Sequence, residues 1–81
     1  MLTGSQIRAA RHALQWTLAD LELKSGVNRR TIIRLESVDG LPSANTGTLS
    51  KISKALESAG IEFIERADGA RGIFMRPSSG E

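Results

Sequence analysis

The 81-residue chain contains no cysteine and a single histidine, His12. Without thiols there is no disulfide framework and no thiol catalysis, and one imidazole cannot complete the ligand set of a structural zinc site. No metal and no other cofactor is expected. Long apolar runs are missing too. None approaches the ~18 residues of a membrane span, and the first residues lack the basic start and apolar core of a signal peptide, so a cytoplasmic location is expected. There is no Gly-rich phosphate loop of the required spacing, no nucleophile elbow, and no His or Cys to serve beside Ser or carboxylates. Enzyme chemistry is therefore not expected. At this length a fold buries only roughly 60–65% of the surface of its unfolded chain, which leaves room for one core and no second sensory domain.

What is present begins with an apolar fraction of 40%, enough for a packed core. Eleven Lys and Arg against nine Asp and Glu give +2 at neutral pH. The whole excess sits in residues 1–40, with six basic and four acidic side chains against five of each in the remainder. Within it Arg29, Arg30 and Arg34 stand together with no acid between them.

Four helices can be read from their start signals. Thr3 caps the first, with Gln6 three residues on for a capping box and Leu2 and Ile7 at the staple positions; Ile7, Ala10 and Leu14 line one face. Thr17 caps the second, with Asp20 in the box, Trp16 and Leu21 as the staple, and Gly26 as the left-handed stop. Asn28 caps the third, with Val27 and Ile32 as its staple and Ile32 and Leu35 facing inward, and that helix ends near Ser37. After a Pro-containing connection, Asn45 or Thr46 caps a fourth helix carrying Leu49, Ile52, Ala55 and Leu56, which Gly60 ends.

Beyond Gly60 the period changes. Ile61-Glu62-Phe63-Ile64-Glu65 and Ile73-Phe74-Met75 are β-prone runs flanking Asp68-Gly69, a favoured two-residue hairpin turn. A turn centred there places Phe63 opposite Phe74 and Ile64 opposite Ile73, at the cost of opposing Arg66 and Arg71. The ribbon is then apolar on both sides, with Phe63 and Phe74 on one and Ile64, Ile73 and Met75 on the other. It needs two covers: the helical body and, for the second, either another copy of the chain or a monomeric fold-back over the core. Phe63, Ile64, Ile73, Phe74 and Met75 are the candidate dimerisation residues. Residues 77–81 read as a flexible tail.

From Thr17 to Glu36 two short capped helices flank a three-residue turn whose Gly26 allows them to cross steeply, the pattern of a helix-turn-helix. Leu21, Val27, Ile32 and Leu35 can hold the pair rigid, while Asn28, Arg29, Arg30, Ile33 and Arg34 form an outer face able to enter a major groove about 12 Å wide. Arg suits bidentate contact with guanine, Asn can pair with adenine, and an exposed Ile can meet a thymine methyl. Arg8, Lys24, Ser43, Asn45 and Thr46 are candidate phosphate contacts, the last three because a helix N-terminus offers free amides to an anion. Trp16 at a staple position is a core residue rather than a base-stacking one, and His12 is solvated.

The spacing of Leu21, Gly26, Val27, Ile32, Leu35 and Glu36, followed by a Pro-Ser loop and by Thr48-Leu49, resembles the Cro/CI-type (lambda repressor-like, XRE) helix-turn-helix regulators over residues 3–60. The resemblance implies an all-α fold: a lambda repressor-like bundle of four helices at 1–60, here with a small C-terminal β-hairpin at 61–76. It implies base reading by Asn28, Arg29, Arg30 and Arg34, a phosphate contact at Thr31, and a structural pair between Arg11 and Glu36. The chain departs from the family at Leu18, often a phosphate-contacting glutamine, and at Glu22, usually a small alanine. It also departs in its C-terminal hairpin, which stands where many relatives carry a fifth helix. The expected function is that of a sequence-specific DNA-binding regulator, a homodimer on double-stranded DNA that represses by occupying a promoter. The alternative is an antitoxin or small adaptor whose hairpin engages a protein partner.

Overall fold

A computed structural model of the protein describes residues 2–77. Its elements run α1 (Gly4–Ala13), α2 (Leu18–Ser25), α3 (Arg29–Glu36), α4 (Thr46–Ser58), β1 (Ile61–Glu65) and β2 (Arg71–Met75). Four helices are thus followed by one antiparallel hairpin. The expected tail lies, from residue 78 onward, outside the described residues.

The helix starts are fixed by local side-chain chemistry. Thr3 Oγ1 accepts from the Gln6 amide at 3.1 Å while Gln6 Oε1 accepts from the Thr3 amide at 3.0 Å, and Thr17 and Asp20 repeat the exchange at 3.0 and 2.8 Å. Asn28 accepts from the Arg30 amide and Asn45 from the Thr48 amide. Each such cap contributes on the order of 1 kcal/mol. Gly26 ends α2 in the left-handed conformation with φ 75°. At the end of α1 the same role falls to Gln15, which sits at φ 59°. There the Trp16 amide donates to the Arg11 carbonyl and the Gln15 amide to the His12 carbonyl, the hydrogen bonds that reverse a chain leaving a helix.

The apolar stripes of the four helices converge. Ile7, Leu21, Ile32, Leu35, Ile52 and Leu56 are fully buried, and Ile61 joins them from the first strand position. Burying each of these side chains is worth roughly 1.5–3 kcal/mol. Trp16 and Leu18 are half-buried against this core. Helix α1 packs on α3, α4 and β2, and α4 on α2 and β1. The N-terminus of α1 also meets the segment after α3: the Gly4 amide donates to the Gly40 carbonyl at 2.9 Å. A Cβ on Gly4 would overlap the carbonyl oxygens of Leu35 and Val38, so the approach is open to glycine alone.

The hairpin differs from the expected register by one residue. Phe63 opposes Ile73, Glu62 opposes Phe74, Ile64 opposes Gly72 and Glu65 opposes Arg71. The cause is the turn: Arg66 donates to the Ala70 carbonyl across a three-residue loop of Ala67, Asp68 and Gly69, with Gly69 left-handed at φ 92°. Asp68 Oδ1 accepts the Ala70 amide and closes the loop. The slip removes the Arg66/Arg71 opposition and instead brings Arg71 to Glu65 at 3.2 Å. It also re-sorts the faces, because opposed residues share one. Ile61, Phe63 and Ile73 face the helices, with Met75 at that face's open end, while Ile64 and Phe74 lie on the outer face with Glu62 and Gly72. The five candidate dimerisation residues are therefore split, and Phe63 and Ile73 are half-buried against the core.

Gln6 secures the hairpin to the bundle. Its Nε2 donates to the Gly72 carbonyl at 3.0 Å and to the Ile64 carbonyl at 3.4 Å, one from each strand of the same row. The buried amide of α1's capping box is thereby fully used.

Candidate functional site

Helix α3 is eight residues long, about 12 Å of axis, and its inward stripe of Ile32 and Leu35 is fully buried. What remains outside is Asn28, Arg29, Arg30, Ile33 and Arg34, all exposed, with Ile33 at 50%. Thr31 lies half-buried at its margin. Ile33 is thus an exposed apolar group among three cations.

The three arginines differ in what holds them. Arg29 is clamped from α2. Glu22 Oε1 accepts its Nε at 3.3 Å and its Nη2 at 3.2 Å, while Glu22 Oε2 accepts the Arg29 backbone amide at 3.1 Å. The Glu22 side chain thus reaches across the turn instead of packing between the helices, and its carboxylate sits on the positive end of α3. Arg34 is held at the other end, where its Nη1 donates to the Ser43 carbonyl at 2.8 Å and ties α3 to the connection leading into α4. Arg30 lies between them, and its guanidinium donates to nothing among the described residues. Asn28 spends its side-chain oxygen on the Arg30 amide and keeps only its NH2 for an outside partner.

Behind this face, Arg11 and Glu36 form a bidentate pair with distances of 2.8 and 2.9 Å, their side chains only 11% and 8% exposed. Arg11 Nη1 also donates to the Trp16 carbonyl at 3.0 Å, so one guanidinium ties α1, the turn after it and the end of α3. The hydrogen bonds that Arg11 donates to Glu36 raise the Arg11 pKa above its ordinary value, against the opposing effect of burial. A raised pKa means the charged form is favoured in the fold, and that contribution is complete at neutral pH.

The candidate phosphate contacts are scattered in their duties. Arg8 donates to the Glu36 carbonyl and pairs with Asp39 at 3.1 Å, which makes it a cap on the C-terminus of α3. Asn45 is the N-cap of α4, Thr46 follows it exposed, and the exposed Ser43 has no hydroxyl partner among the described residues while its carbonyl holds Arg34. Lys24 is exposed at the end of α2 and lines a shallow groove with Ser25, Lys51, Lys54, Ala55 and Ser58. Two contributors escaped the sequence reading. In the sequence Glu22 stands out only as a departure from a usually small residue, and the main-chain oxygen of Ser43 carries no side-chain signal at all.

No protein-family model matches the chain, and no curated protein matches it either. No helix among the described residues is long and apolar enough to cross a membrane.

Proposed function

We propose that this chain is a cytoplasmic, sequence-specific DNA-binding transcriptional regulator with a lambda repressor-like fold, which places α3 in the major groove as a dimer on a palindromic operator. The observation that carries this reading is the outer face of α3. It holds three arginines and a half-exposed isoleucine, with two of the guanidiniums oriented by fixed partners at opposite ends of the helix. Preset guanidiniums suit base edges better than diffuse phosphate attraction, because a bidentate contact to guanine requires the fork to arrive in one orientation. Between these two arginines, the Arg30 guanidinium has no hydrogen-bond partner among the described residues and so keeps all its donors for a base, and each good bidentate pair is worth about 1–3 kcal/mol of discrimination. Repression then follows from occupancy of a promoter.

Selection from a pool of randomised duplexes at near-physiological salt tests the proposal. The expected result is an enriched palindrome with half-sites about 10 bp apart. Arg30→Ala should relax the preference at one position in each half-site. Salt-sensitive binding with no enriched sequence would overturn base reading.

A second reading, an antitoxin or adaptor that engages a protein through its hairpin, draws on Phe74, which is 62% exposed on the ribbon's outer face. The two part on what covers that face.

A further inference from the structure

The outer face of the hairpin carries a charge order that is complementary to its own reverse. Alternation along the ladder puts Arg76, Glu62, Ile64 with Gly72, and Arg66 on this face in successive rows, with Asp68 at the turn. From the open end to the turn the order is plus, minus, neutral, plus, minus. Turned end for end and laid upon itself, every charge meets its opposite. On the inner face, by contrast, Glu65 and Arg71 of one chain are already paired with each other. Glu62, Arg66 and Arg76 have no ion-pair partner among the described residues.

The shape follows the same rule. Gly72 on β2 and Ala70 just before it are small, and with Ile64, Arg66 and Phe74, and with Arg71 and Ile73 between them, they line a groove of about 200 Å³. In the reversed copy, Phe74 comes over Ala70 and flanks the glycine row, while Ile64 meets Ile64. A large side chain and a gap thus exchange places across the two-fold.

We infer that the occupant of this face is a second copy of the chain, packed ribbon on ribbon about a two-fold axis that runs across the strands through the Ile64–Gly72 row. Glu62 of each copy then faces Arg66 of the other, and Arg76 faces Asp68, each contact occurring twice. Five-residue strands span only about 17 Å, so the patch falls short of the about 800 Å² per partner of a standard stable interface. The dimer is accordingly a weak one, which a DNA carrying two half-sites reinforces by holding both copies at high effective concentration. This inference rests on the dimeric part of the proposed function and is independent of which bases α3 reads.

Sedimentation equilibrium of the whole chain, from about 10 μM to about 1 mM, tests it. The expected result is a reversible monomer–dimer equilibrium that weakens with salt. Arg66→Glu or Glu62→Arg alone places like charges at two symmetric positions and should raise the dimer Kd at least tenfold. The double variant restores the opposition and should return the Kd towards the wild-type value. Circular dichroism should be the same for all four proteins, since both side chains are exposed. A monomer throughout, a dimer indifferent to the single reversals, or a double variant no better than the singles would each overturn the inference. Binding of the same proteins to a single half-site separates the two ideas: it should survive the charge reversals, and its absence in the wild type would count against the DNA reading without touching the sedimentation result.

Discussion

Between Thr17 and Glu36 the helix starts and the stop at Gly26 are set by groups a few residues away, whereas the register of the hairpin turns on one backbone angle at Gly69 and on a helix near the other end of the chain. The first region is written in short range. Thr17 meets Asp20, Asn28 meets the Arg30 amide, and Ser37 Oγ donates to the Arg34 carbonyl at 2.7 Å. The second depends on whether the loop has two residues or three, and that choice decides which side chains face the core. A local region tolerates error one cap at a time. A register either holds or moves as a block.

Substitutions can break or sharpen this contrast. The largest expected effect is at the buried pair, where Glu36→Ala leaves the Arg11 guanidinium charged and enclosed and should cost about 3–5 kcal/mol in urea denaturation. Arg11→Lys keeps the charge but loses the fork, and should recover only part of it. Next comes Gly69→Ala, which forces a side chain into a left-handed position at about 1–2 kcal/mol. Hydrogen exchange should then show faster exchange across β1 and β2, with the amides of α2 and α3 keeping their protection. If those helices lost protection equally, the two regions would be one cooperative unit.

Glu22→Ala comes third. Loss of the carboxylate at the start of α3 should cost about 1 kcal/mol of stability. Its larger consequence is on recognition: the freed Arg29 should steepen the salt dependence of DNA binding by about one counterion while blurring base preference, read by titration at several salt concentrations. An unchanged salt slope would mean that Arg29 is equally available in both proteins. The smallest effect is a gain. Gln15→Gly relieves the left-handed strain at the end of α1 and should add about 0.5 kcal/mol, or about 2–4 °C in Tm.

Legibility in the sequence follows the same division. Three caps, the fourth as a choice between Asn45 and Thr46, the glycine stop at residue 26 and the buried faces of α1, α3 and α4 are readable because each signal lies within about one helical turn of its effect. The hairpin's existence was readable from Asp68-Gly69, but its register was not: Asp-Gly suits a two-residue turn and also the last two places of a three-residue loop. Gln15 carries no glycine to announce its conformation. At the candidate site, the outer residues of α3 follow from helical spacing, while the partners that orient them do not. Glu22 lies seven residues from Arg29 on another helix, and Arg34 is held by a backbone atom that any residue at position 43 would supply.

The side chain of Gln6 has a consequence for the order of events while the chain is being made. Its Oε1 closes a capping box with a neighbour three residues away, but its Nε2 awaits acceptors 58 and 66 residues later. A chain made only to the end of α4 lacks both acceptors of Gln6 Nε2 and the Ile61 side chain that fills its place in the core. Contacts of such sequence separation form late, after the loops they close have been drawn in. The clasp between α1 and β2 thus cannot close until β2 has been made.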